Sequence, residues 1–137
     1  MPWTTIRRNC TKLRGEKQMQ YVLLIYQGDP RGAVSDATIA EYMTEIGAHN
    51  EELKASGHFI MTAGLGFPDS ATCVRKRNGK VTMTDGPFAE TKEYLGGLYF
   101  IEARDLNDAL KVAERLPMAR FATIEVRPVN KLITTGD

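Results

Sequence analysis

The run Asp85-Gly86-Pro87-Phe88-Ala89-Glu90-Thr91-Lys92-Glu93 is the densest set of chemically useful side chains in this 137-residue chain. Asp85 suits a general base, or an anchor for a polar ligand. Beside Gly86 and Pro87 it also suits a cap that bonds the backbone of the turn 85–88. Glu90, Thr91, Lys92 and Glu93 form either the polar rim of a pocket or a solvated turn. Thr84 and Phe88 flank them and complete that candidate ligand-binding stretch. Arg75 and Arg127 are further ligand candidates, because a planar guanidinium holds a small anion in two-point contact. Glu125, two residues from Arg127, offers an ion pair instead. His49 is the second catalytic candidate after Asp85. It is either a proton-transfer group or a satisfied core histidine. His58, at the start of a strand next to Gly57, is read as exposed and set aside.

The elements that must position these groups follow from hydrophobic periodicity. MQYVLLIY (19–26) is a strand, apolar on both faces. GDPRG (28–32) is a turn cluster. Ser35 and Asp36 offer N-cap oxygens, and Thr38 with Glu41 has the capping-box spacing. Ile39, Tyr42, Met43, Ile46, His49 and Leu53 predict an amphipathic helix over 36–56, stopped by Gly57. HFIMTAGL (58–65) is a second strand. Residues 71–77 and 80–84 flank Asn78-Gly79, which predicts a hairpin with a type I′ turn. Its pairing puts Val74, Lys76, Val81 and Met83 on one face. After the polar stretch AETKEYLGG, a strand runs over 98–103. A helix follows from Asp105, with Leu106, Ala109, Leu110, Ala113 and Leu116 inward and Pro117 at its end. FATIEVRPV (121–129) closes the order, with Ala122, Ile124 and Val126 on one face and Thr123, Glu125 and Arg127 on the other.

This order predicts an α+β domain of the ferredoxin-like βαββαβ plan. It has an antiparallel sheet, an inserted β-hairpin and two helices on one face. Two helices cover one face only, yet strands 19–26 and 98–103 are apolar on both. The second face therefore needs a cover. The simplest cover is a second copy, giving a face-to-face homodimer whose inter-sheet space is lined by Arg75 and Arg127. The rival cover is the hairpin.

Composition bounds the function. With 42% hydrophobic and 26% charged residues and a net charge of +1, the chain is one globular domain without a nucleic-acid binder's footprint. The charge is uneven. Residues 1–18 hold five Lys or Arg against one Glu, and 19–137 hold thirteen against sixteen acids. Residues 1–18 are thus read as a flexible basic extension, 19–130 as the domain and 131–137 as a tail. No stretch approaches the ~20 apolar residues of a membrane helix. Cys10 and Cys73 form no CxxC and only two histidines accompany them, so no metal site is expected. Unpaired thiols fit a cytoplasmic setting. Neither GxxxxGK[ST] nor GxGxxG occurs, and no cofactor is expected.

The run VTMTDGPFAETKEYLGGLYFIEA (81–103), with MQYVLLIY, the segment Gly57–Leu65 and IEVRPV (124–129), resembles the DGPF-domain proteins of the YCII-related family over about residues 19–129. The resemblance implies a subunit of the dimeric α+β barrel superfamily. That architecture, with the polar strand face and the two arginines, points to a small polar or anionic ligand in a cofactor-independent binding or catalytic cleft between sheets. The alternative is a non-enzymatic interaction or regulatory module linked to sigma-factor or stress signalling. Related YCII proteins carry a His–Asp pair whose histidine lies about three helical turns before the helix-ending Gly. Counting back from Gly57 reaches Ile46, with His49 offset, so the pair is not carried over as a motif.

Overall fold

The computed structural model describes residues 19–130, so the basic extension and the C-terminal tail lie outside the described residues. In chain order the elements are β1 (Met19–Gln27), α1 (Asp36–Ala55), β2 (Phe59–Gly64), β3 (Thr72–Arg77), β4 (Lys80–Asp85), β5 (Tyr94–Ala103), α2 (Leu106–Arg115) and β6 (Thr123–Pro128). Short 3-10 turns occupy Pro68–Ser70 and Pro117–Arg120. The main sheet has the order β2-β5-β1-β6 and its pairings are antiparallel. β5 thus separates β1 from β2, which is the split βαβ arrangement of a ferredoxin-like fold.

Local chemistry sets the boundaries. The Ser35 hydroxyl accepts the Thr38 N–H at 3.2 Å and starts α1, one of the N-cap oxygens the sequence offers at 35–36. Gly57, at φ 83°, ends it as the left-handed residue beyond the cap. The Asp105 carboxylate accepts the Asp108 N–H at 2.8 Å and starts α2. The hairpin turn has Asn78 at φ 53° and Gly79 at φ 76°, both positive as a type I′ turn requires. Its register pairs Val74 with Met83 and Lys76 with Val81, as the sequence predicts.

The core lies between sheet and helices. Tyr21, Leu23 and Ile25 of β1 and Tyr99, Ile101 and Ala103 of β5 are buried beneath Leu53, Ala109, Val112 and Ala113. Full burial of a side chain such as Leu23 contributes about 1.5–3 kcal/mol. Both helical stripes differ from expectation. Ile39 and Met43 are 42% and 58% exposed, so the residues α1 fully buries are His49 and Leu53, with Tyr42 and Ile46 partly buried against the core. In α2 the buried residues are Ala109, Val112 and Ala113, while Leu106 and Leu110 are exposed. β5 also starts four residues earlier than predicted, at Tyr94.

The opposite sheet face carries Val22 and Leu24 of β1, in register with Phe100 and Leu98 of β5, which in turn face Met61 and Ala63 of β2. Arg127 and Glu125 of β6 flank Val22 and Leu24. The hairpin does not lie over this face with its apolar side. It forms a separate two-stranded sheet, and its Val74, Val81 and Met83 are 62%, 51% and 70% exposed.

Candidate functional site

Three loops meet at the end of the sheet where β1 finishes and β5 begins. The first is GDPRG. Asp29 accepts the Arg31 backbone N–H at 2.9 Å and the guanidinium Nη2 at 2.7 Å, which folds the loop onto itself. Arg31 Nη1 reaches Asp69 Oδ2 of the second loop at 3.1 Å. The guanidinium also lies 3.9 Å over the centre of the Phe67 ring. The hydrogen bonds from Arg31 hold the Asp29 carboxyl below the usual carboxylate range, and those same bonds to Asp29 and Asp69 push Arg31 up.

The third loop is the DGPF run. Phe67 packs edge-on against Tyr94, with ring centres 6.3 Å apart. The Thr91 hydroxyl donates to the Glu93 carbonyl, and the Glu93 carboxylate accepts the Thr123 hydroxyl at 3.3 Å from the start of β6. Together the loops enclose a cleft of about 360 Å³ lined by Asp29, Arg31, Asp69, Glu90, Lys92 and Tyr94, among others. The Tyr94 hydroxyl is buried and has no hydrogen-bond partner among the described residues. A buried hydroxyl without a partner costs roughly 1–3 kcal/mol, so it is a group that a ligand or water would satisfy. Lys92 makes no ion pair among the described residues.

The sequence-derived residues are thus distributed over several places. Glu90 and Lys92 line the cleft, and Glu93 braces its loop. Asp85 ends β4 opposite Thr72, and Thr84 pairs with Cys73. The Asp85 carboxylate makes no hydrogen bond among the described residues, so the turn is not held by the cap the sequence suggests. Instead the Gly86 N–H donates to the Ala71 carbonyl at 2.7 Å, with Gly86 at φ 102°. Arg75 stands on the hairpin, 5.1 Å over the exposed Phe88 ring, and not on the main sheet. Arg127 donates to Glu125 at 2.9 Å, the ion pair their spacing allows.

His49 lines a different cleft, of about 190 Å³, between the C-terminal end of α1 and α2. It is 8% exposed; its Nδ1 lies 3.5 Å from the Glu52 carboxylate and its Nε2 has no partner among the described residues. His49 and Asp85 therefore do not share either cleft. His58, expected to be exposed, is half-buried in the same cleft as His49, between Ser56 and Asp108. Arg31, Asp69, Tyr94, Ser56 and Asp108 escaped sequence reasoning. For Arg31, the local signal is the Asp29-x-Arg31 spacing, the same as that of Glu125 and Arg127.

Residues 19–133 match the family described as YCII-related domain. The chain is also similar to an uncharacterized protein of Rhizobium meliloti (strain 1021), 33% identical over 114 residues, which are 81% of this chain and 92% of that protein.

Proposed function

The chain belongs to the YCII-related domain family, and from that premise we propose that it is a homodimer that binds a small polar or anionic molecule without a cofactor. The binding cleft is the one walled by the DGPF loop, at the end of the sheet. The observation that carries this reading is the cleft itself, lined by Tyr94, whose buried hydroxyl has no hydrogen-bond partner among the described residues. Lys92 supplies a cation and Glu90 an acceptor beside it. Arg31 is held by Asp29 and Asp69, so it shapes the wall while its charge is already compensated.

The dimer reading is supported by the apolar sheet face of Val22, Leu24, Leu98, Phe100 and Met61, which the helices leave uncovered. Asp85 and His49 enter this reading as candidates in unequal positions. Asp85 adjoins the loop with its carboxylate free of protein partners, while His49 lines the other cleft.

A calorimetric titration with inorganic phosphate, citrate and glycerol tests the cleft. The proposal predicts binding of at least one probe that Lys92→Ala weakens tenfold or more. Heat that is identical for wild type and Lys92→Ala with every probe contradicts it. A second reading, a non-enzymatic interaction module in sigma-factor or stress signalling, is favoured by the exposed apolar hairpin face of Val74, Val81 and Met83.

A further inference from the structure

The cleft between α1 and α2 holds an arrangement that the DGPF-loop cleft does not use. Ser56 caps α1 and His58 follows the Gly57 turn into β2. The Ser56 Oγ lies 2.7 Å from His58 Nδ1, and His58 Nε2 lies 3.1 Å from both Asp108 oxygens. Asp108 is itself fixed, because its Oδ2 accepts the Arg104 N–H at 3.0 Å and its own N–H donates to Asp105. A carboxylate only accepts, so the ring nitrogen facing it carries the proton. With that proton on Nε2, the neutral form of the ring presents the lone pair of Nδ1 to Ser56. The Ser56 hydroxyl proton has two acceptors within reach, His58 Nδ1 at 2.7 Å and the Leu53 carbonyl at 3.1 Å, and the shorter contact is the imidazole.

The result is a hydroxyl–imidazole–carboxylate chain, with the two ring nitrogens in the opposite sense to the serine-hydrolase template. Ser56 is exposed and so open to a substrate. The other charged and titratable groups around it are His49 and Glu52 from α1 and Lys111 and Arg115 from α2. Lys111 and Arg115 have no ion-pair partner among the described residues. They supply cations for an anionic substrate group.

We propose that this cleft is an acyl-transfer site for small esters with an anionic acyl group, in which Ser56 is the nucleophile, His58 its general base and Asp108 the positioning residue. Ser56 Oγ bonds to the acyl carbon as its proton passes to His58 Nδ1. The bond from that carbon to the alcohol oxygen breaks, and the departing oxygen takes the proton from His58. Water, deprotonated by the same nitrogen, then attacks the acyl-serine, releases the carboxylic acid and restores Ser56.

A fluorophosphonate probe tests the nucleophile on the full chain, because it forms a P–O bond to an activated serine and releases fluoride. One adduct at Ser56, by peptide mass, is expected. It disappears in Ser56→Ala and forms at least ~100-fold more slowly in His58→Gln, the range of general-base assistance. No adduct at Ser56, or a rate unchanged in His58→Gln, overturns the proposal. The ring tautomer tests Asp108 independently of reactivity. Nitrogen-15 shifts of His58 at high pH should show the proton on Nε2 in the wild type, and less so in Asp108→Asn. A proton on Nδ1 in the wild type overturns the proposal, because Nδ1 then cannot accept from Ser56. The site shares no residue with the DGPF-loop cleft, so failure in one leaves the other standing.

Discussion

The Tyr99 hydroxyl donates to Asn50 Oδ1 at 2.6 Å, tying the middle of β5 to α1 across an otherwise apolar layer. Burial pushes the Tyr99 phenol up, against the lowering effect of its hydrogen bonds. Tyr99→Phe keeps the ring and removes the tie, leaving Asn50 short of a donor. The expected loss is about 1–2 kcal/mol in urea unfolding, with an unchanged denaturant slope. Unaltered stability would show that the bond does not hold α1 down.

Gly97 of β5 pairs with Gly64 of β2. A Cβ there would stand 2.8 Å from the Ala63 carbonyl oxygen, a backbone atom that moves only with its strand. Gly97→Ala should therefore cost about 1–3 kcal/mol as an overpacking change. Amide exchange should quicken in Phe59–Gly64. Wild-type stability in Gly97→Ala would contradict this contact.

Asp108 gives the fold an acid-sensitive joint. Burial raises its carboxyl, but the Arg104 N–H and His58 together outweigh burial and the net direction is down. A carboxyl lowered on folding stabilises the fold above its unfolded value, about 3.9 for aspartate. That contribution is lost as pH falls through the folded value. Asp108→Asn should thus be less stable than wild type near neutrality, and the gap should narrow below about pH 4. Urea midpoints between pH 2 and 7 measure it, and a gap independent of pH would contradict it.

Phe100 lies at the middle of the uncovered sheet face, between Val22 and Met61 in register. Under the dimer proposal, a charge there separates the copies. Sedimentation should give two-copy mass for the wild type and one-copy mass for Phe100→Glu. One-copy mass for the wild type at micromolar concentration contradicts the dimer.

Much of this fold is legible because its signals are local. Asn78-Gly79 fixes the hairpin register through two positive φ angles, and Ser35, Gly57 and Asp105 mark helix ends. The early start of β5 is not legible, because Gly96-Gly97 looks like a breaker. Gly97 is instead required by its close approach to the Ala63 carbonyl, while Gly96 faces the Gln27 side chain, which can move. Periodicity likewise marks Ile39 and Met43 as apolar without telling that both stay exposed. The clefts are the least legible part. Arg31 meets Asp69 across 38 positions and His58 meets Asp108 across 50, and neither spacing is a motif.

The central claim is that the DGPF loop walls a ligand cleft whose buried hydroxyl is Tyr94. Nitrogen-15 amide spectra recorded during a titration with citrate and inorganic phosphate test it most directly. Saturable shifts grouped at residues 29–31, 68–69 and 87–94, reduced in Tyr94→Phe, are the predicted result. Shifts confined to other residues, or none up to millimolar probe, would contradict it.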